Sequence, residues 1–334
     1  MRLGQNPARI DTPAYSPQPL GLASLVFIPH LEGYFQHGLT ILKAHLLSLH
    51  AHTEAPFDLL VFDNGSCREV KVFLHEMQAA GWIRWLVTSE VNLGKTGALN
   101  WILAAMPNPI IGYADADVFF RRGWWPASRE LLEGFPQAGI VTAQPCFFDI
   151  LRGEGQAAGR LFAPHQVEAY TPDPEVVEEY CRGINAPEDL RQRYLRTPLP
   201  VVRNAQGVPA VLGASHMQFV ARREVLRQVL PLPATRGLSP EEDRVFNQRI
   251  DELGRLHLST LRPWVVHMGN TVDAHLQPEV EAVLGTPLAP PALPTPAVEG
   301  SLPRRWLGKL ARMPRLRRYF LRLYNALYEI YSER

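Results

Sequence analysis

At 334 residues and 37.6 kDa, the chain is long enough for one large α/β domain with an appendage, or for two domains. Its 46% apolar and 20% charged composition excludes wholesale disorder, a collagen-like repeat and a coiled-coil rod. The net charge of +1 argues against binding nucleic acid over the whole surface, but it hides a division: residues 301–334 carry nine Lys or Arg against two Glu, a net +7, leaving −6 on residues 1–300.

Residues 1–22 form an N-terminal extension without an apolar core, and the main α/β domain is expected over 23–285. Short apolar runs predict strands at Leu25–Ile28, Leu59–Phe62, Ile83–Val87, Ile110–Tyr113 and Ile140–Ala143. Between them, amphipathic stretches predict helices at His37–Leu49, Glu69–Ala80, Thr96–Met106 and Pro126–Glu133. Four β-α units in a row give an α/β fold with a central, mostly parallel sheet. This first half spans 23–143. An insertion over 144–210 follows, rich in Gly, Pro and acidic residues, with one helical pattern near Pro174–Tyr180. The second half, 211–285, has a strand at Gln218–Ala221, helices at Arg223–Val229 and Pro240–Leu253, and a strand at Pro263–His267. Residues 286–303 hold six of the thirty prolines and read as a semi-stiff linker. Beyond it, 304–334 reads as a basic amphipathic helix, suited either to an anionic membrane surface or to packing on the body or a second copy.

Cys67, Cys146 and Cys181 are too few and too far apart for a disulfide framework or a zinc site. Neither a signal segment nor a run of about 18 apolar residues is visible. The expected location is therefore the cytoplasm, with the tail allowing peripheral contact with the inner face of the cell membrane.

In an open α/β sheet, ligands bind beyond the carboxyl ends of the strands. Those ends are polar here: Pro29-His30, Asp63-Asn64-Gly65-Ser66, Glu90 through Lys95, and Asp115-Ala116-Asp117. Two carboxylates one residue apart at a strand end can divide labour between a hydroxylated ligand and a hard divalent cation. Glu241-Glu242-Asp243 opens a helix, where acidic residues also serve as ordinary capping. His267 closes a strand, where a histidine is either structural or able to complete a metal site begun by Asp117. Ser89 through Thr96 approximates a phosphate-binding P-loop, but Ser89 replaces the first glycine and Glu90 places negative charge in the loop. His37, His45, His50 and His52 lack a completing carboxylate and read as solvated or packed histidines.

Taken in order, these motifs resemble the family-2 glycosyltransferases, enzymes of the GT-A-type nucleotide-sugar fold. Asp63 through Ser66, then Asn92, Gly94, Ala98 and Asn100, then Asp115-Ala116-Asp117, Gly213-Ala214-Ser215, Glu242-Asp243 with Arg249, and His267-Met268-Gly269 carry the resemblance. It implies a metal-dependent hexosyltransferase that moves a sugar from a nucleotide-diphosphate donor, a UDP-sugar first of all, to a hydroxyl acceptor on a glycan, a lipid-linked or a small molecule. By the same resemblance Pro29, Asp63, Asn92, Lys95 and Asp115 bind the donor. Asp117 and His267 hold Mg²⁺ or Mn²⁺, with Asp115 a further ligand candidate. Gly213, Ser215 and Glu242 face the acceptor, and Asp243 is the general base of an inverting reaction. A retaining enzyme of the same fold and a non-catalytic sugar-nucleotide-binding protein are the alternatives. The first strand lacks the Thr-Tyr-Asn that often follows the family's proline, and no Gln-x-x-Arg-Trp follows the catalytic helix, which argues against a processive polymer synthase.

Overall fold

The computed structural model describes residues 15–147, 156–233 and 240–286, the side chains of Gln156 and of 240–243 excepted. The start of the extension, all of the linker beyond Thr286 and the basic tail lie outside the described residues. Residues Pro17–Ala292 form one compact unit.

Its centre is a ten-stranded sheet. Strands β1 (Leu20–Val26), β2 (Phe57–Asn64), β3 (Trp85–Ser89) and β4 (Ile110–Asp115) form a parallel block in the order β3-β2-β1-β4. Strand β10 (Gln218–Arg222) runs antiparallel between β4 and β6 (Ala138–Thr142), and β11 (Leu256–Ser259) lies parallel to β6. Beyond it come β9 (Pro209–Leu212), β8 (Leu199–Arg203) and β7 (Glu168–Tyr170), each antiparallel to its neighbour. All strands except β7, β9 and β10 therefore run in one direction. Apart from this sheet, β5 (Val118–Phe120) pairs with β12 (Val265–His267) in a two-stranded antiparallel ribbon.

The period of two along each strand builds the layers. Leu22 and Val26 of β1, with Leu59 and Val61 of β2, pack on one face against Leu42, Leu46 and Leu49 of α1 (Gly38–His52), Val70 and Leu74 of α2 (Arg68–Ala79), and Leu131 of α4 (Trp124–Gly134). Their alternates Ala23, Leu25, Leu60 and Phe62 meet Ile102 and Leu103 of α3 (Gly94–Ala105) on the other face. Later chain joins that second layer: Val225 and Leu226 of α8 (Arg223–Val229), then Phe246 and Ile250 of α9 (Pro240–Glu252). Because both faces are covered, β1 and β2 read as near-continuous apolar runs.

The expected start of β1 at Leu25 is corrected to Leu20, because Gly21 and Ser24 interrupt the apolar run for packing reasons. A Cβ at Gly21 would collide with the Asn108 side chain. Ser24 Oγ lies 2.7 Å from Nε2 of buried His45. The insertion is also more regular than expected. It contains α5 (Gln156–Leu161), α6 (Pro174–Gly183), α7 (Glu188–Arg196) and two sheet strands. A small core of Phe147, Val177, Tyr180, Tyr194 and Val201 holds it together. Each of its helices buries only a narrow stripe, so its apolar period is faint in the sequence. A last helix, α10 (Gln277–Gly285), packs Val280 and Val283 against Ile41 and Ala44 of α1. Among the described residues no helix is long and apolar enough to cross a membrane.

The α1 histidines are structural. Burial pushes both His45 and His50 from 6.5 down to about 4, so each is neutral in the folded protein at pH 7. His45 Nδ1 donates to the Val118 carbonyl at 2.6 Å, which leaves Nε2 to accept from Ser24. The unfolded chain takes up these protons below about pH 6.5 and the folded chain only near pH 4, so stability falls as pH falls through that window. Urea unfolding at pH 7 and pH 5 should show a loss of about 2 kcal/mol per histidine. An unchanged midpoint would mean that these rings are not held neutral.

Candidate active site

The carboxyl ends of β1, β2 and β4, the start of α3 and the turn after β12 enclose a cavity of about 960 Å³, a size that accommodates a small-molecule ligand. Phe27, Tyr34, Phe35, Asn64, Asn92 and Lys95 line it together with Asp115, Asp117 and Asn270. Phe35 meets Phe27 and Tyr34 edge to face, and Tyr34 remains 66% exposed, leaving an aromatic ledge at the mouth.

Asn64 braces part of this lining. Its Nδ2 donates to Asn92 Oδ1 at 2.9 Å and to the Gly94 carbonyl at 3.3 Å, while its Oδ1 accepts from Leu93 N at 2.8 Å. The loop can lie this close because Gly65 turns at φ +92, where a Cβ would press on the backbone of Val91 and Asn92. Residues 93–95 thereby enter the cavity at the N-terminus of α3, where backbone N–H groups are favourable to anions.

Asp115 and Asp117 have different surroundings. Both oxygens of Asp115 are engaged: Oδ2 accepts from Lys95 Nζ at 2.8 Å and Oδ1 from Tyr113 OH at 2.5 Å. Lys95 also reaches the His216 carbonyl at 3.4 Å. The Asp117 carboxylate faces His267, with Oδ2 at 3.2 Å from Nε2, while its Oδ1 is buried without a hydrogen-bond partner. Burial opposes ionisation of Asp117, but the hydrogen bond and charge of His267 outweigh it and hold the carboxyl below its usual range. Burial likewise opposes charging of His267, and the bond to Asp117 overcomes it, raising the imidazole to about 9. Both residues occupy corresponding ends of the ribbon: His267 pairs with Val118, next to Asp117, and Met268 N donates to the Asp117 carbonyl at 2.7 Å.

This pair fits a divalent cation. An orphaned carboxylate oxygen and, once a cation displaces its proton, the imidazole Nε2 would offer one hard and one intermediate ligand. Among the described residues no group of three His, Cys, Asp or Glu could hold a metal by itself, so the remaining ligands would have to come from a bound substrate and water.

The other expected residues are distributed unevenly. Asn92, Lys95 and Asp115 line the cavity. Asp63 is fully buried and does not; its Oδ1 accepts from Ser66 N at 2.9 Å and shapes the turn after β2. Pro29 is also outside the lining. Gly213 and Ser215 occupy the loop between β9 and β10, where Gly213 N bonds the His257 carbonyl and Ser215 N bonds Thr142 Oγ1, both at 2.9 Å. Residues Glu242 and Asp243 fall in the first turn of α9, and their side chains lie outside the described residues. The link from that helix to the cavity is Asn247, one turn beyond residue 243, whose Oδ1 is 2.9 Å from His216 Nε2. The motifs quoted above include Asn64 but not His216, Asn247 or Tyr113. Tyr113 had a signal, since it precedes Asp115 by two on one strand and so shares its face.

Comparison with known proteins returns the family that the motifs resemble. Residues 35–184, just under half the chain, match the model of the family described as Glycosyl transferase family 2. No curated protein matches it. Among solved structures it is similar to a mannosyltransferase from Pyrobaculum calidifontis, PcManGT, in complex with GDP-Man and Mn²⁺, at 15% identity over 94% of this chain and 87% of that one, with a TM-score of 0.45. It is similar to TarS 1–349 of S. aureus at 12% identity over 72% of this chain, TM-score 0.42, and spans only 57% of that chain. GalNAc-T7, solved with UDP, GalNAc and Mn²⁺, is similar at 14% identity over 75% of this chain and 43% of its own, TM-score 0.45.

Asn64→Ala removes three hydrogen bonds that fix the cavity wall. At about 0.5–1.5 kcal/mol net per bond, it should cost about 2–3 kcal/mol in urea unfolding. Asn64→Asp, which cannot donate to Asn92, should not restore the loss; full recovery with Asp would show that the amide donor is unimportant.

Proposed function

We propose that the chain is a metal-dependent glycosyltransferase that moves a sugar from a nucleoside-diphosphate donor to a hydroxyl acceptor. The observation that carries this reading is the Asp117–His267 pair beside a cavity formed at the carboxyl ends of parallel strands. A UDP-sugar is the first donor to test.

A divalent cation, when bound, would neutralise the diphosphate and the charge that develops on it as the leaving group departs. Asp117 and His267 would hold that cation from the protein side. The start of α3 supplies N–H groups toward the phosphates. Lys95 brings a cation into the same cavity and, resting on Asp115, keeps that carboxylate oriented until a ligand hydroxyl replaces one of its partners. Asn64 and Asn92 fix the loop against which the nucleoside lies, and the aromatic ledge of Phe27, Tyr34 and Phe35 shields it from water. Asp63 acts one step removed, through the turn it caps.

The acceptor enters from the α9 side. Asp243 is proposed as the general base that takes the acceptor hydroxyl proton, with Glu242, Gly213 and Ser215 on the acceptor side. A base opposite the leaving group means inversion at the anomeric carbon. The connection Lys95–His216–Asn247 supports this role, because it ties α9 to the donor cavity one turn from residue 243.

Asp243→Asn should keep donor binding, seen as an unchanged thermal shift with UDP-sugar and Mn²⁺, while turnover falls by about 10²–10⁴-fold. Near-wild-type turnover in the purified variant would remove Asp243 from the mechanism, and a product of retained anomeric configuration by NMR would remove inversion.

A further inference from the structure

His267 is oriented from outside the ribbon that carries it. Its Nδ1 lies 2.7 Å from the carbonyl oxygen of Gly183, the last residue of α6. A carbonyl can only accept, so Nδ1 bears the hydrogen and Nε2 is the nitrogen turned to Asp117. The contact depends on how α6 ends. The final carbonyls of a helix lack intrahelical partners, and here Asn185 takes φ 48, a conformation Asn tolerates. The chain turns away there, with Ala186 N returning to the Cys181 carbonyl at 2.9 Å. A side chain at position 183 would obstruct the approach: a Cβ there would sit 2.7 Å from the His267 carbonyl and 3.3 Å from its Cβ.

The same helix is gripped one turn earlier. Arg121, directly after β5, makes two hydrogen bonds to Glu179 of α6, at 2.7 and 3.0 Å. Its other donors hold Glu279 of α10, at 2.7 and 2.8 Å. Planar, bidentate contacts of this kind fix orientation as well as distance. Arg121 N also bonds the Trp264 carbonyl at 2.9 Å, just before β12. The ribbon is therefore held at both ends: at one end Arg121 anchors it to α6 and α10, and at the other α6 returns to it through Gly183 and His267.

We infer that α6 is a positioning element for the metal site, with Arg121, Glu179 and Gly183 acting as positioning residues that set the His267 ring so that Nε2 faces Asp117. The inference rests on the reading of Asp117 and His267 as metal ligands and assigns the segment 174–183 a role that its sequence does not advertise. Groups that hold the second nitrogen of a metal-ligating histidine typically matter by about 10–100-fold in metal affinity.

Two measurements test it. In metal-free protein, ¹⁵N-resolved imidazole NMR should show a slowly exchanging Nδ1–H on His267. That signal should vanish in Gly183→Ala while the His45 ring signals stay in place as a control for folding. The second is Mn²⁺ affinity in the presence of UDP, followed by EPR. Gly183→Ala and His267→Ala should each weaken it by about 10–100-fold, and the double variant should be no weaker than His267→Ala alone. Glu179→Gln, which keeps the shape and loosens the grip, should shift both readouts in the same direction by a smaller amount and covers the case in which Gly183→Ala does not fold. A persistent Nδ1–H signal in Gly183→Ala, or additive losses in the double variant, would overturn the inference. If the wild type binds no Mn²⁺ while its Nδ1–H is present and lost on substitution, it is the metal reading that fails and the hold of α6 on His267 that stands.

Discussion

The site depends on an ion pair kept partly out of water. Asp117 and His267 come from chain positions 150 residues apart, and each would resist charging alone because burial opposes it. Together they stabilise one another's ionised form. The three-residue ribbon of β5 and β12 makes the pairing possible by setting His267 opposite Val118. Everything around the ribbon serves that register: α1 donates His45 Nδ1 to the Val118 carbonyl, Met268 N closes onto Asp117, and Arg121 fastens the far end.

This arrangement divides two neighbouring carboxylates by environment. Asp115 ends a central strand and is saturated by Lys95 and Tyr113. Asp117, two residues on, has left the sheet for the ribbon and keeps an oxygen free of protein partners. Both line the cavity, yet only the second keeps an oxygen without a hydrogen-bond partner.

Much of this was legible in the sequence where periodicity and polarity coincide. The parallel block is written as apolar runs ending in Asp63, Asp115 and their neighbours, and the family-2 motifs follow the order of those strand ends. What could not be read was the second partner of each group. Asp63 looks like a ligand contact but is consumed by the turn it forms with Ser66, because a buried carboxylate takes the nearest backbone N–H. Gly183 is one glycine among 24 until the approach of His267 shows why no side chain fits. Helix α7 escaped notice because its buried face is narrow, with Tyr194 its buried residue, and β5 because three residues carry no period. The charge asymmetry between body and tail is plain in the sequence, while the tail itself lies outside the described residues.

The central claim of the proposed function is that Asp117 and His267 hold a divalent cation at the edge of the cavity. Anomalous diffraction near the manganese edge, from crystals grown with Mn²⁺ and UDP, tests it most directly. The account predicts one strong peak within ligand distance of an Asp117 oxygen and His267 Nε2, next to the diphosphate. A manganese peak bound elsewhere, or a bound diphosphate with no peak beside this pair, would contradict it.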